Sequence, residues 1–159
     1  MTENERNKWL SIEDAELQRQ CRVDTMRGTG PGGQKRNKTE SAVRLVHIPS
    51  GVIVQNDITR SQHKNKQNAL ESLRLQIALQ CRRPAPQQPI PLPTSKHDFL
   101  WIAHILDLLE SFNYSLADAA KACNISTSRL GKELAKHPHL WEKVNKERTE
   151  RGFSRLISN

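Results

Sequence analysis

Five of the eight prolines in this chain fall between Pro84 and Pro93. Proline fixes its own φ and lacks a backbone donor, so neither a helix nor an interior strand can run through residues 82–94. Such a stretch favours polyproline II, a semi-rigid spacer of about 30 Å if fully extended. The chain of 159 residues therefore reads as two small domains, 1–83 and 95–159, joined by a proline-rich linker at 84–94.

Ahead of the linker, residues 13–20 fit a short helix with Ser11 as its cap, and residues 23–26 fit a first strand. Residues 37–41 fit one helical turn. β-Branched residues dominate 43–48 and 52–55, and Pro49-Ser50-Gly51 supplies a turn between these two strands. Residues 61–82 read as a helix in which Leu70, Leu73, Ile77 and Cys81 form one inward stripe. The fold class is α+β: a small domain with a short sheet covered by a helix, then the linker, then an all-α module.

From Ser95 onward the pattern is helical. Phe99, Ile102, Leu106 and Leu109 form one stripe, and Trp101, Ile105, Leu108 and Phe112 widen it, which predicts a buried helix. Ser115 and Asp118 form a capping pair for a second helix. Asn124 interrupts that helix, Ser126 or Thr127 caps a third carrying Leu130 and Leu134, and Pro138 ends it. Leu140, Trp141 and Val144 mark a fourth. Residues 115–135 thus resemble a helix-turn-helix with Asn at the turn, where a left-handed conformation is needed. Contact with ribosomal RNA or protein, a purely structural role and DNA binding all remain open for this module.

The chemistry concentrates in Arg27-Gly28-Thr29-Gly30-Pro31-Gly32-Gly33-Gln34. Four glycines and a proline exclude a helix or regular strand, and glycine lets a backbone approach a ligand with no Cβ in the way. Gln34, after two adjacent glycines, is presented on bare backbone. Gly28, Gly30 and Gly33 also satisfy G-x-G-x-x-G, but the strand at 43–48 begins too soon for the helix a dinucleotide site needs. The spacing of Gly28 and Gly33 also fits a P-loop, but there Gln34 stands in place of the required lysine. An ordinary surface turn needs one or two glycines, not four with a proline.

Residues 22–83 carry 12 Lys/Arg against 4 Asp/Glu, so they account for the whole formal charge of +8. A basic block around an exposed loop suits a phosphate-rich partner. Cys21, Cys81 and Cys123 form neither a C-x-x-C motif nor a disulfide framework, which suits a reducing cytosol. There is no secretory apolar segment near Met1 and no run long enough to span a bilayer. No metal-ligand spacing and no Ser-His-Asp set is evident, so no metal or other cofactor is expected.

After the loop come Asn37-Lys38-Thr39, Ser41-Ala42-Val43-Arg44, His47-Ile48-Pro49-Ser50-Gly51-Val52 and Arg60-Ser61-Gln62-His63-Lys64-Asn65. In this order, from about residue 21 to about residue 80, the chain resembles the GGQ domain of class I peptide chain release factors and their ribosome-rescue relatives. The resemblance implies hydrolysis of the ester linking a nascent peptide to tRNA, in an active site completed by ribosomal RNA of the peptidyl transferase centre. It implies catalytic roles for Gly32, Gly33 and Gln34: the Gln34 backbone N–H at the developing oxyanion, its side chain positioning water, and the two glycines supplying the backbone geometry. Gln34 is also a candidate substrate for a methyltransferase acting on its side-chain amide. Arg27, Lys35, Arg36, Lys38, Arg60, Gln62 and Lys64 are candidate RNA-binding residues. His47 and His63 are read as structural or RNA-facing rather than as basic catalysts.

The chain departs from the decoding factors in having neither a Ser-Pro-Phe nor a Pro-x-Thr tripeptide, and in carrying Lys35-Arg36 where His-Val is common. The expectation is a monomeric, cytoplasmic, stop-codon-independent factor that frees peptides from stalled ribosomes. The small rescue factors end in a basic tail, whereas this chain continues into the linker and helical module. The alternative is a nucleic-acid-binding module that uses the helix-turn-helix-like region, with the loop domain inactive.

Overall fold

A computed structural model describes residues 5–27, 40–87 and 89–158, which fall into two compact units, Met1–Ile77 and Ala78–Asn159. The first opens with α1 (Glu5–Ser11) and α2 (Asp14–Arg19). A three-stranded antiparallel sheet follows: β1 (Cys21–Met26), β2 (Ala42–His47) and β3 (Ile53–Asn56), with β2 in the centre. Helix α3 (Gln62–Gln80) comes next.

Register follows from the side-chain alternation of β2. Val43, Leu45 and His47 are buried, and Leu45 pairs with Val23 on one side and with buried Val54 on the other. A one-residue slip would turn this set to solvent, so burial locks the pairing. On the opposite face Arg44 pairs in register with Asp24 and meets its carboxylate at 3.3 Å. The turn between β2 and β3 needs Gly51, whose φ of +76° belongs to the left-handed region; its N–H bonds His47 O at 2.8 Å. In α3, Asn65, Ala69, Leu73 and Ile77 recur every fourth residue and are buried, joined by Leu70. The helix stops at Gln80, and Cys81, expected on its stripe, lies beyond it and is half-buried. Arg83 precedes Pro84 and is disfavoured in a helical conformation, so the helix has no room to continue.

One expectation near the start is corrected. The polar opening segment forms α1, which buries Arg6, Trp9 and Leu10. Ser11 caps nothing: it is the last residue of α1, and its hydroxyl donates to Asn7 O at 2.8 Å. Glu13 stands at the N-cap of α2 with no side-chain cap bond. The single turn expected at 37–41 lies outside the described residues except for Glu40 and Ser41, which are not helical.

Two buried polar groups hold this unit together. Arg74 of α3 donates to Trp9 O (2.9 Å) and Ile12 O (2.6 Å) and pairs with Asp14 (2.9 Å). It therefore collects carbonyls at the end of α1 that have no partner within the helix. His47 is fully buried, with its ring edge-on to Trp9 at 4.8 Å between centroids. Its Nε2 faces Gln20 Oε1 at 2.9 Å and its Nδ1 faces the Ser50 hydroxyl at 2.6 Å. Gln20 Oε1 can only accept, so the imidazole proton sits on Nε2 and Nδ1 accepts from the Ser50 hydroxyl, which itself accepts from Val52 N–H. Burial pushes the His47 pKa down from its ordinary 6.5 to about 4.

The second unit contains α4 (Phe99–Ser111), α5 (Leu116–Ala122), α6 (Thr127–Ala135) and α7 (Pro138–Glu150). Helix α4 starts at Phe99 rather than Ser95, because Asp98 is its N-cap: Oδ1 accepts from Trp101 N at 3.0 Å, and Oδ2 accepts from Thr94 N at 3.1 Å. Its apolar residues from Trp101 to Leu109 are buried, as their spread around the helix predicts, whereas Phe112 is partly exposed. Ser115 and Ser126 cap α5 and α6 through Asp118 N and Arg129 N. Asn124 adopts φ +58°, so the left-handed turn expected at its position is present. Pro138 opens α7 at its first turn, where proline is tolerated because it lacks no needed donor.

The proline segment does not run free of this unit. The side chain of Asp107, fully enclosed on α4, accepts from Arg83 N at 2.9 Å and pairs with Arg82 at 3.2 Å. Arg82 also donates to Ala103 O at 3.1 Å. Ile90 is 7% exposed. No helix among the described residues is long and apolar enough to cross a membrane.

Two outcomes are expected. Replacing Arg74 with Ala leaves the Trp9 and Ile12 carbonyls buried without a donor, so urea denaturation should show a loss of about 3 kcal/mol. The His47 contribution has a defined pH window. Its lowered pKa makes that contribution complete above pH 6.5, declining below that value, and gone once pH falls through about 4. Stability against pH should therefore fall more steeply over this window in the wild type than in His47→Gln, and parallel curves would contradict the assignment.

Candidate functional site

The glycine loop joins β1 to β2, the two antiparallel strands whose last register pair is Met26–Ala42. A hairpin of this kind brings both ends of the loop to one edge of the sheet. Gly32, Gly33, Gln34, Lys35, Arg36 and Lys38 lie outside the described residues. The described geometry is that of the loop's base.

Three side chains fix that base. Asn65, in the first turn of α3, is fully buried and makes four hydrogen bonds. Its Nδ2 donates to Ser41 O and to Thr59 O, each at 2.8 Å. Its Oδ1 accepts from Thr59 N at 3.0 Å and from the Thr59 hydroxyl at 2.9 Å. These bonds exhaust the capacity of one amide, two donor hydrogens and two acceptor lone pairs. They join the start of β2, the connection after β3 and the start of α3 at one point. One turn earlier, Gln62 Nε2 donates to Glu40 O at 2.7 Å. Across the hairpin, the Thr25 hydroxyl donates to Glu40 Oε2 at 3.3 Å.

The helix begins here for a local reason. The Thr59 hydroxyl, whose proton goes to Asn65 Oδ1, accepts from Ser61 N at 3.1 Å and so closes a tight turn. Ser61 Oγ then accepts from Lys64 N at 3.2 Å, so Ser61 serves as the N-cap of α3.

Among the candidate RNA-binding residues, Arg27, Arg60, Gln62 and Lys64 are exposed. Arg27 follows β1 directly, and Arg60 and Lys64 flank the Asn65 junction in sequence, so the base of the loop carries a basic rim. The Gln62 amide is engaged within the protein, on Glu40. His63 is exposed, whereas His47 is buried near the opposite end of β2, in register with Cys21 rather than with the loop-proximal residues. His47 is thus a structural residue.

Sequence reasoning quoted Asn65 without assigning it a role, and it overlooked Thr25, Glu40 and Thr59. For Asn65 a signal existed: residue 65 falls on the same four-residue spacing as Ala69, Leu73 and Ile77, so it faces inward, and a buried amide must find partners.

Residues 7–96 of the chain match the family model described as "RF-1 domain". Relatives include "Peptide chain release factor 2" of Aliarcobacter butzleri, 48% identical over 68 residues, which cover 43% of this chain and 18% of that one. "Peptide chain release factor 1" of Zymomonas mobilis is 50% identical over 60 residues, 38% of this chain and 17% of that one. A longer match, to "Peptide chain release factor 2" of Aromatoleum aromaticum, is 47% identical over 93 residues, 58% of this chain and 24% of that one. The chain thus spans between a sixth and a quarter of the length of these relatives. With more than half of its residues inside the family model and the blocks around the loop in the family's order, the chain belongs to the RF-1 domain family of class I peptide chain release factors.

Proposed function

We propose that this protein is a ribosome-dependent release factor that promotes hydrolysis of the peptidyl-tRNA ester on stalled ribosomes without reading a stop codon. The observation that carries the reading is a Gly32-Gly33-Gln34 run set on a strand pair whose exit is clamped by Asn65 and Gln62, in a chain of the RF-1 domain family. A rigid base supports the reading because positioning a reacting group accounts for much of the rate in such a step.

In the proposed reaction, water attacks the ester carbonyl carbon and the carbonyl oxygen gains negative charge. The bond to the ribose oxygen then breaks, and the ribose oxygen takes up the proton lost by the water. The Gln34 backbone N–H stabilises the oxyanion, the largest contribution available to a site with no nucleophile of its own. The Gln34 side chain positions the water, and Gly32 and Gly33 keep the backbone free of Cβ atoms. Ribosomal RNA and tRNA supply the remaining groups, and the place of action is the cytoplasm. Lys35, Arg36, Lys38, Arg27, Arg60 and Lys64 contact RNA phosphates. Gln62 acts by holding the loop exit, and methylation of the Gln34 amide tunes the same group. Independence of stop codons rests on the missing codon-reading tripeptides.

The test is peptide release from ribosomes that hold peptidyl-tRNA on a truncated message lacking a stop codon. Wild-type protein should release peptide, and the absence of release would remove the reading. Gln34→Ala should slow release by roughly 100-fold at saturating protein while ribosome binding stays within a few-fold. Equal losses of binding and release would contradict the division of labour between loop tip and basic rim. Charge reversal at Lys35 and Arg36 should weaken ribosome association and lower its salt dependence by about one to two units of log K per log salt. An unchanged slope would argue against phosphate contact by this pair.

A further inference from the structure

The sequence pattern that the proposed reaction leaves unused is the helix-turn-helix. Its second helix, α6, turns Leu130, Glu133 and Leu134 inward and leaves Ser128, Arg129, Lys132 and Lys136 exposed. These four residues recur at one-, three- and four-residue steps along one face. The sole carboxylate of α6, Glu133, is 3% exposed, so it presents no negative surface to a partner. Instead its Oε1 draws in two cations, Arg129 at 3.2 Å and Lys136 at 3.0 Å. Both stay mostly in solvent, with side chains 52% and 61% exposed. One buried anion therefore orients two surface cations along the helix and leaves the face net positive.

We propose that this face of α6 binds double-helical RNA through its phosphates and ribose hydroxyls. The choice of RNA over DNA rests in part on the ribosomal reading above. Residues 129 and 136 are seven apart on a helix, about 10 Å, which spans roughly three base steps of one strand. The exposed side chains are cations and hydroxyls, the types that contact backbone; α6 contains neither Asn nor Gln, the residues that read adenine edges. Thr127 and Ser128 add hydroxyls at the start of the helix, suited to the ribose 2′-OH that marks an RNA duplex. Such a surface can grip a duplex by its charge and backbone hydroxyls.

The experiment measures binding of the full-length protein to a bare RNA duplex of about 16 base pairs and to a DNA duplex of matching sequence, by fluorescence anisotropy across a salt series. The variants are Lys132→Glu, Lys132→Glu with Lys136→Gln, and Lys132→Arg, each checked by thermal melting. Lys132→Glu should weaken RNA binding at least 5-fold and the double variant at least 10-fold, with the salt slope reduced by roughly one to two. Lys132→Arg should bind as the wild type. If the double variant fails to fold, the single surface change Lys132→Glu decides the matter. A folded variant that binds within 2-fold of wild type at an unchanged slope overturns the proposal, placing duplex affinity elsewhere in the chain. DNA binding as tight as RNA binding, with equal losses in the variants, overturns the assignment to RNA. No ribosome or peptidyl-tRNA is present, so the outcome is independent of whether the chain releases peptide.

Discussion

The side-chain amide of Asn65 is the point on which the loop-bearing edge of the sheet depends. It reaches Ser41 at the start of β2 and both main-chain and side-chain groups of Thr59, while its own backbone belongs to the first turn of α3. A methyl group in the same space would satisfy none of these partners, and each buried polar group left alone costs of order 1–3 kcal/mol. The amide also has direction. Its two hydrogens and two lone pairs accept only one arrangement of the three segments, so it specifies geometry as well as stability. Gln62 and Thr25 then extend that order by one residue, to Glu40.

The rest of the first unit arranges the same few elements around this junction. Arg74, two and a half turns along the same helix, performs a parallel task for the carbonyls at the end of α1 and beyond. His47 does so at the far end of β2, as a neutral ring between Gln20 and Ser50. Three polar side chains, each buried and each bonded to main chain or to a side chain that is itself bonded, tie short elements that have little apolar area of their own. A small sheet with one covering helix gains definition from such bonds because a core of this size supplies limited burial.

Where one physical preference dominates, it could be read in advance. Alternation of β-branched residues located β2 and β3, Ser115 and Ser126 declared their helices through capping, and Asn124 announced its left-handed turn. The glycine loop was evident from composition alone. Features that depend on distant partners were hidden. Nothing near Ser11 reveals that Trp9 and Leu10 find a core, and so that the serine ends a helix instead of starting one. Nothing near Pro84 reveals that the enclosed carboxylate of Asp107 waits for Arg82 and Arg83, or that Ile90 finds a buried seat amid prolines. A proline-rich segment looks like a spacer because backbone stiffness is local, whereas what it packs against is not.

The pairing of Met26 with Ala42 closes the sheet below the glycine loop. Closing a longer connection adds little entropy cost, only about 0.6 kcal/mol for each doubling of length. With the strands, Asn65 and Gln62 setting the base, a longer connection between Met26 and Ala42 would cost the unit little stability. Insertions there would leave a folded protein. Folding therefore places little constraint on the length of that segment.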